Sequence, residues 1–247
     1  MKNLKYCLVA FLISAMQLVA SQTEKAVNSF NKVVISPHIE AVLVEGNTES
    51  VLIKDNTLTD DIVNIEVKGK TLRVYLDDAK EVTKTETVIK NGIKQQVPIY
   101  KNKVLTVEIT YKTLEVLSIR GEQKTQCKSS IKQDDFSLKI YGESQVVLDD
   151  VVLSDLDIVI YGESQLMIKK GTTNKQKIIA YGESNVNLLN VENKTSKLRA
   201  YGEAEFKINA SEEIKITAYG DATLEHKGNA SIKRGIAIGD IDISQID

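Results

Sequence analysis

The residues of this sequence that could do chemistry recur as a group. Tyr-Gly-Glu-Ser stands at 141–144, 161–164 and 181–184, with shortened versions at 201–203 and 219–221. Ser144, Ser164 and Ser184 each lie two residues after a glycine, where a nucleophile would be sought. A nucleophile elbow requires Gly-x-Ser-x-Gly, and here Val146, Leu166 and Val186 fill the last place. The next two repeats carry Ala204 and Ala222 instead of serine. A small residue tucked inside a bend accounts for these positions better than catalysis does.

The carboxylates Glu143, Glu163, Glu183, Glu203 and Asp221 form a second series. Five acids in line could bridge Ca²⁺ through their oxygens. At the ~4.8 Å separation of neighbouring strands, unit charges in water repel by only ~0.9 kcal/mol, so the row is tolerable without a metal. The Gly-Gly-x-Gly-x-Asp signature of calcium-binding β-rolls is absent. A solvated corner with no cofactor is the expectation.

Tyr141, Tyr161, Tyr181, Tyr201 and Tyr219 form the third series, each directly before a glycine. Stacked aromatics stabilise a ladder by ~0.5–1.5 kcal/mol per pair, and an exposed aromatic stripe also suits a sugar- or peptide-binding face. Both readings stay open. The remaining candidates are single residues. Cys127 and His226 occupy slots held by Leu or Ile in other repeats, and His38 has no partner for a zinc site or a Cys-His dyad. Arg120 and Arg199 read as isolated.

These series must be positioned by repeating elements. Gly121, Gly142, Gly162, Gly182, Gly202, Gly220 and Gly239 recur every 18 to 21 residues, a period that signals a solenoid. Apolar residues sit two and four before each glycine (Ile140 and Leu138, for example) and four and six after it (Val146 and Leu148). That parity is the signature of strands with one buried face. Each repeat therefore holds two short strands bent around the Tyr-Gly-Glu-Ser corner, followed by a variable polar segment such as "KKGTTNK" at 169–175 or "NVENKTS" at 190–196. Leucine-rich repeats share the period, but their frame is missing. An antiparallel meander would alternate like corners with unlike ones. The expected fold is an all-β parallel β-helix.

Residues 22–116 read as an irregular N-terminal β portion capping one end, with a charged insertion at 77–103 whose Asn91-Gly92 predicts a hairpin turn. Residues 117–247 carry the regular repeats. Lys2 and Lys5, the apolar run Tyr6–Ala20 and the small Ala20-Ser21 predict a signal peptide over 1–21. No later apolar run is long enough to span a membrane. Loss of that segment would leave Cys127 alone, which excludes internal disulfides. With 32 basic against 34 acidic residues, no electrostatic footprint for nucleic acid exists.

The layout then resembles a family. The stretch F-x-K-V-V-I-S-P-x-I-x-A-V-L-V-E-G runs from Phe30 to Gly46, K-x-L-x-V follows at Lys70–Val74, and glycine-containing β-repeats end the chain. This looks like the putative auto-transporter adhesin, head GIN domain family of Bacteroidetes-type bacteria. The resemblance implies a right-handed β-helix-like fold in an exported, cell-envelope setting (periplasm, cell surface or secreted), and it supplies no catalytic residues. The expected role is an adhesin-like or structural interaction module whose partner is a cell-surface glycan or an envelope protein. The alternative is a carbohydrate-active β-helix lyase or hydrolase, with its site in the 77–103 loop or the groove beside it.

Overall fold

The computed structural model describes residues 23–246; the expected signal peptide lies outside them. The chain is a parallel β-solenoid of about six turns, with 73% of its residues in strands. One seventeen-stranded sheet runs through it. A single 3-10 turn, Asp60–Ile62, is the one helical element among the described residues.

Register explains the period. Leu117 lies beside Leu138, which is followed by Ile158, Ile178, Leu198 and Ile216, one per coil. Past the corner, Val146 pairs with Leu166, Leu166 with Val186, Val186 with Phe206 and Phe206 with Leu224. Every one of these side chains is buried. At ~1.5–3 kcal/mol for each large apolar side chain removed from water, the ladders dominate the stability. A one-residue slip would turn them all outward, so the pattern also fixes the register.

The polar segments differ from the sequence reading. "KKGTTNK" and "NVENKTS" do not interrupt the strands for long: they lie largely within the long strands Gly171–Tyr181 and Ser184–Tyr201, which run on to the next corner. Part of their polarity is internal. Thr173, Gln176, Asn193 and Ser196 are buried and close a ring of hydrogen bonds. Gln176 Nε2 donates to Thr173 Oγ1 (3.0 Å), Asn193 Nδ2 to Ser196 Oγ (2.6 Å) and Ser196 Oγ to Gln176 Oε1 (3.3 Å). Thr173 Oγ1 completes the ring by donating to Asn193 Oδ1 at 3.4 Å.

The N-terminal strands continue the same sheet. Lys32–Ile35 and Ile39–Glu45 pair in parallel with the first regular coil on one side, and with Thr71–Leu76 and Leu105–Tyr111 on the other. Beyond them the direction reverses. Val63–Lys68 is antiparallel to Thr71–Leu76, and Ser50–Asn56 to Leu105–Tyr111, which covers the first open edge. The insertion carries the predicted hairpin, Thr85–Lys90 against Ile93–Pro98, with Asn91 and Gly92 both at positive φ (53° and 76°). At the far end Ser231–Ile238 and Ile241–Gln245 form the last coil, where a register shift between Ile216 and Ala218 marks a bulge.

Candidate functional site

The corner is built by glycine for two reasons at once. Gly142, Gly162, Gly182, Gly202 and Gly220 have φ between 99° and 129°, a region that other residues occupy only under strain. They also stack on one another: a Cβ added to Gly162 would lie 2.4 Å from the carbonyl oxygen of Gly142. The serines belong to this stack. Ser144 Oγ donates to Gly121 O at 2.7 Å, and Ser164 Oγ to Gly142 O at 2.9 Å, each reaching back to the preceding coil. Ser144 and Ser164 are each 1% exposed. The serines are thus small residues tucked inside the bend, and their hydroxyls fasten coil to coil.

The tyrosines form one column. Successive ring centroids from Tyr141 to Tyr161, Tyr181, Tyr201 and Tyr219 are 5.2, 4.5, 4.7 and 5.0 Å apart, with interplanar angles of 1° to 8°. Coil spacing dictates that distance. The faces therefore cover each other, and what solvent meets is a row of ring edges and hydroxyls. Tyr181, inside the column, has its phenol pushed above the ordinary value by desolvation first and then by its stacked neighbours.

Arg120 closes one end of the column, and it is not isolated as the sequence reading had it. Its guanidinium carbon lies 4.8 Å from the Tyr141 ring centroid, within cation–π range. Arg120 Nη1 also forms an ion pair with Glu81 Oε2 (2.6 Å), while Arg73 Nη1 donates to Glu81 Oε1 (2.5 Å). Burial alone would raise the Glu81 carboxyl. The hydrogen bond from Arg73 and the charge of Arg120 outweigh it and hold that group below the usual carboxylate range. Glu81 comes from the insertion, so the insertion anchors the column. No sequence signal connects residues 73, 81 and 120, which lie on three separate strands or loops.

One position beyond the glycines, Glu143, Glu163, Glu183, Glu203 and Asp221 are all exposed. Glu163, Glu183, Glu203 and Asp221, with Gln165, Asn185 and Glu205, line an open groove of about 700 Å³ along the corner. Lys207 bridges Glu205 (2.9 Å) and Glu225 (3.0 Å) at its margin. Asp221 Oδ1 accepts from the backbone N–H of Asp240 at 3.0 Å. Among the described residues no three His, Cys, Asp or Glu side chains converge as a metal site. The groove offers a run of oxygen acceptors and amides, a chemistry suited to hydroxyl-bearing or cationic groups.

The family described as "Putative auto-transporter adhesin, head GIN domain" matches residues 29–230. The chain belongs to this family. Solved structures similar to this head GIN domain chain include a putative adhesin from Bacteroides fragilis NCTC 9343, with TM-score 0.73 and 18% identity over 92% of this chain and 96% of that one. A putative adhesin from Parabacteroides merdae ATCC 43184 gives 0.66 and 16% over the same shares. A structure described as a putative lipid binding protein, from Parabacteroides distasonis ATCC 8503, gives 0.63 and 14%, again over 92% and 96%. These likenesses show the fold. No curated protein matches the chain.

A second cavity in this head GIN domain chain, also about 700 Å³, lies between the insertion and the first corner, against Pro37, His38, Val82, Tyr100, Arg120 and Tyr141. His38 is a clasp there. Its Nδ1–H donates to Asn102 O (2.6 Å), and Nε2 is hydrogen-bonded to the Thr83 hydroxyl (2.6 Å). Both ring nitrogens are thus committed to holding the insertion. Cys127 is buried beside Tyr111, whose hydroxyl lies 3.4 Å from Sγ, and burial pushes the thiol up to about 11. His226 is buried at the far end of the same ladder.

Proposed function

We propose that this chain is an exported, non-catalytic, adhesin-like module of the cell envelope that presents the Tyr–Glu corner as an extended contact surface. Membership of an adhesin-named family supports the general role. The observation that carries the reading is multiplicity: one corner, with a phenol edge and a carboxylate, is displayed in register on five successive coils. Repeated weak contacts sum by avidity where one alone would be feeble. The partner in this reading is a cell-surface glycan or an envelope protein that meets the groove through hydroxyl or basic groups. No cofactor is needed, and added Ca²⁺ is expected to leave the melting temperature unchanged.

A glycan-and-protein binding screen on the purified protein tests the proposal. Binding that falls stepwise as Tyr141, Tyr161 and Tyr181 are changed to Ala, measured per folded molecule, supports it. The competing reading is a carbohydrate-active enzyme, favoured by the cavity beside the insertion. Release of new reducing ends or unsaturated sugars from a polysaccharide panel would establish that reading instead.

A further inference from the structure

A different face of the solenoid carries a charge pattern that the corner does not explain. Lys177 lies in register beside Lys197, Lys197 beside Lys215, and Lys215 beside Lys233, one lysine per coil. All four are exposed. Arg199 stands two residues along from Lys197, also exposed, and a narrow cleft of about 130 Å³ runs between Lys177, Lys197, Arg199, Lys215 and Thr217. Only Lys233 has an ion-pair partner among the described residues, Glu213 at 2.5 Å.

Elsewhere this protein sets unlike charges on adjacent coils. Lys169 meets Asp149 (2.8 Å), Lys170 meets Asp150 (3.8 Å) and Lys175 meets Asp155 (3.8 Å), each twenty residues back. In the Lys177 column each lysine stands beside the lysine of the next coil, on strands about 4.8 Å apart. Like charges directly opposite on paired strands are unfavourable. The carboxylate at the head of the column, Asp157, faces Lys177 alone.

We infer that this lysine column, with Arg199, binds an acidic polysaccharide lying along the solenoid axis, one anionic group to each coil. A single file of cations at the strand spacing fits a linear polymer whose charges repeat at about the length of a sugar. A duplex nucleic acid is wider than one column, and the acidic row Glu163, Glu183, Glu203 and Asp221 around the next corner repels its second strand. A single strand would need aromatic faces for its bases, and the tyrosine faces are taken by one another. Anionic membranes call for apolar side chains beside the cations, whereas here the half-buried Ile179 and the exposed Ile236 of the last coil are separated by Arg199 and Thr217.

Affinity electrophoresis of the purified protein through gels containing polygalacturonate, hyaluronan, dextran sulfate or neutral dextran tests this. At least one anionic glycan should retard it, neutral dextran should not, and added salt should abolish the effect. The triple variant Lys177→Gln, Lys197→Gln, Lys215→Gln should weaken retardation at least tenfold without melting earlier. The corresponding triple Lys→Arg variant should retain it. If the Gln triple melts early, Lys197→Gln and Arg199→Gln singly should each weaken retardation about threefold. Retardation by none of the anionic glycans, or equal retardation of wild type and the Gln variants, overturns the inference. So does displacement of the glycan by a single-stranded oligonucleotide or phosphatidylglycerol vesicles at lower charge concentration than free glycan requires. Because this face is separate from the Tyr–Glu corner, the lysine series and the tyrosine series fail independently: a protein that adheres through the corner yet ignores acidic glycans sinks only the present inference.

Discussion

Arg120 stands in register with Tyr141 across two coils and lays its guanidinium over that ring, 4.8 Å from the centroid. Five stacked phenols thus end on a cation that Glu81 holds in place, and Glu81 is itself shared with Arg73. Replacing Arg120 by Ala removes the cation–π contact and one arm of the ion pair. The pair is partly exposed, so solvent screening reduces its share, and a loss of about 1–2 kcal/mol is expected from the two together. Arg120→Lys should recover little, because a point charge on a flexible stem cannot lie flat on the ring and grip the carboxylate together. Urea midpoints of the three proteins check this.

The column should also show position dependence. Tyr161 stacks on a ring on each side, whereas Tyr219 stacks on one ring, Tyr201, and lies beside Ile238 on its other side. At ~0.5–1.5 kcal/mol per aromatic pair, Tyr161→Ala should cost about twice what Tyr219→Ala does. Tyr161→Phe should cost little, since the stacking is retained. Equal losses for Tyr161→Ala and Tyr219→Ala in thermal melts would show that burial, not stacking, sets the contribution.

At the corner, two adjacent substitutions should behave oppositely. Gly162→Val places a β-branched residue at φ 109° with its Cβ against the Gly142 carbonyl oxygen. The backbone strain alone is worth about 1–3 kcal/mol, and the overlap adds to it. Glu163→Gln changes an exposed carboxylate and should stay within about 0.5 kcal/mol of wild type. A reversal of that order would mean that the glycines are not the corner.

Much of this was legible in the sequence, because a solenoid writes its own register. The period of Gly142, Gly162 and Gly182 gave the coil length, and the parity of Leu138, Ile140, Val146 and Leu148 gave the buried face. Asn91-Gly92 gave the hairpin. The contacts that periodicity does not encode join residues far apart in the chain. Glu81 joins Arg73 and Arg120 from an insertion whose path no periodicity encodes. The Thr173–Asn193 ring lies in what the sequence shows only as a variable polar segment, since inward polar residues look like outward ones until the strand is known to continue. The lysine column was written in the repeat, five residues before Gly182, Gly202 and Gly220, and is visible once polar positions are aligned as carefully as apolar ones.

Acid stability should depend on Glu66. Tyr75 Oη donates to Glu66 Oε1 at 2.5 Å and Lys68 Nζ lies 2.7 Å from Oε2. The hydrogen bond from Lys68 is the largest cause, with that from Tyr75 next, and together they hold the carboxyl at about 2. A depressed folded value means a contribution fully present above the unfolded carboxylate range near ~4.3, and lost as pH falls through about 2. The Tyr75 phenol is raised to about 12, first by the same carboxylate. Its contribution is present below the unfolded value of ~10 and is lost as pH climbs towards about 12. Tyr75→Phe should lower stability across the neutral region, where both contributions are present, and so flatten both limbs, approaching wild type at either extreme. Denaturation midpoints between pH 2 and 11 would reveal it.

The buried polar ring makes the sharpest stability test. Asn193 donates to Ser196 and lies within reach of Thr173, all inside the solenoid. In Asn193→Ala the partners keep their polarity but lose their bonds, and each unsatisfied buried group costs about 1–3 kcal/mol. Removing the whole ring is a different experiment. The preceding coil carries buried Leu153 and Leu156 on this side, and Leu156 is in register with Gln176, so an apolar layer fits the same cross-section. The quadruple variant Thr173→Val, Gln176→Leu, Asn193→Leu, Ser196→Ala should therefore be at least as stable as wild type within about 1 kcal/mol, because nothing polar is left unpaired. If the quadruple variant proves less stable than Asn193→Ala alone, shape and not hydrogen bonding is what these four residues supply to the coil.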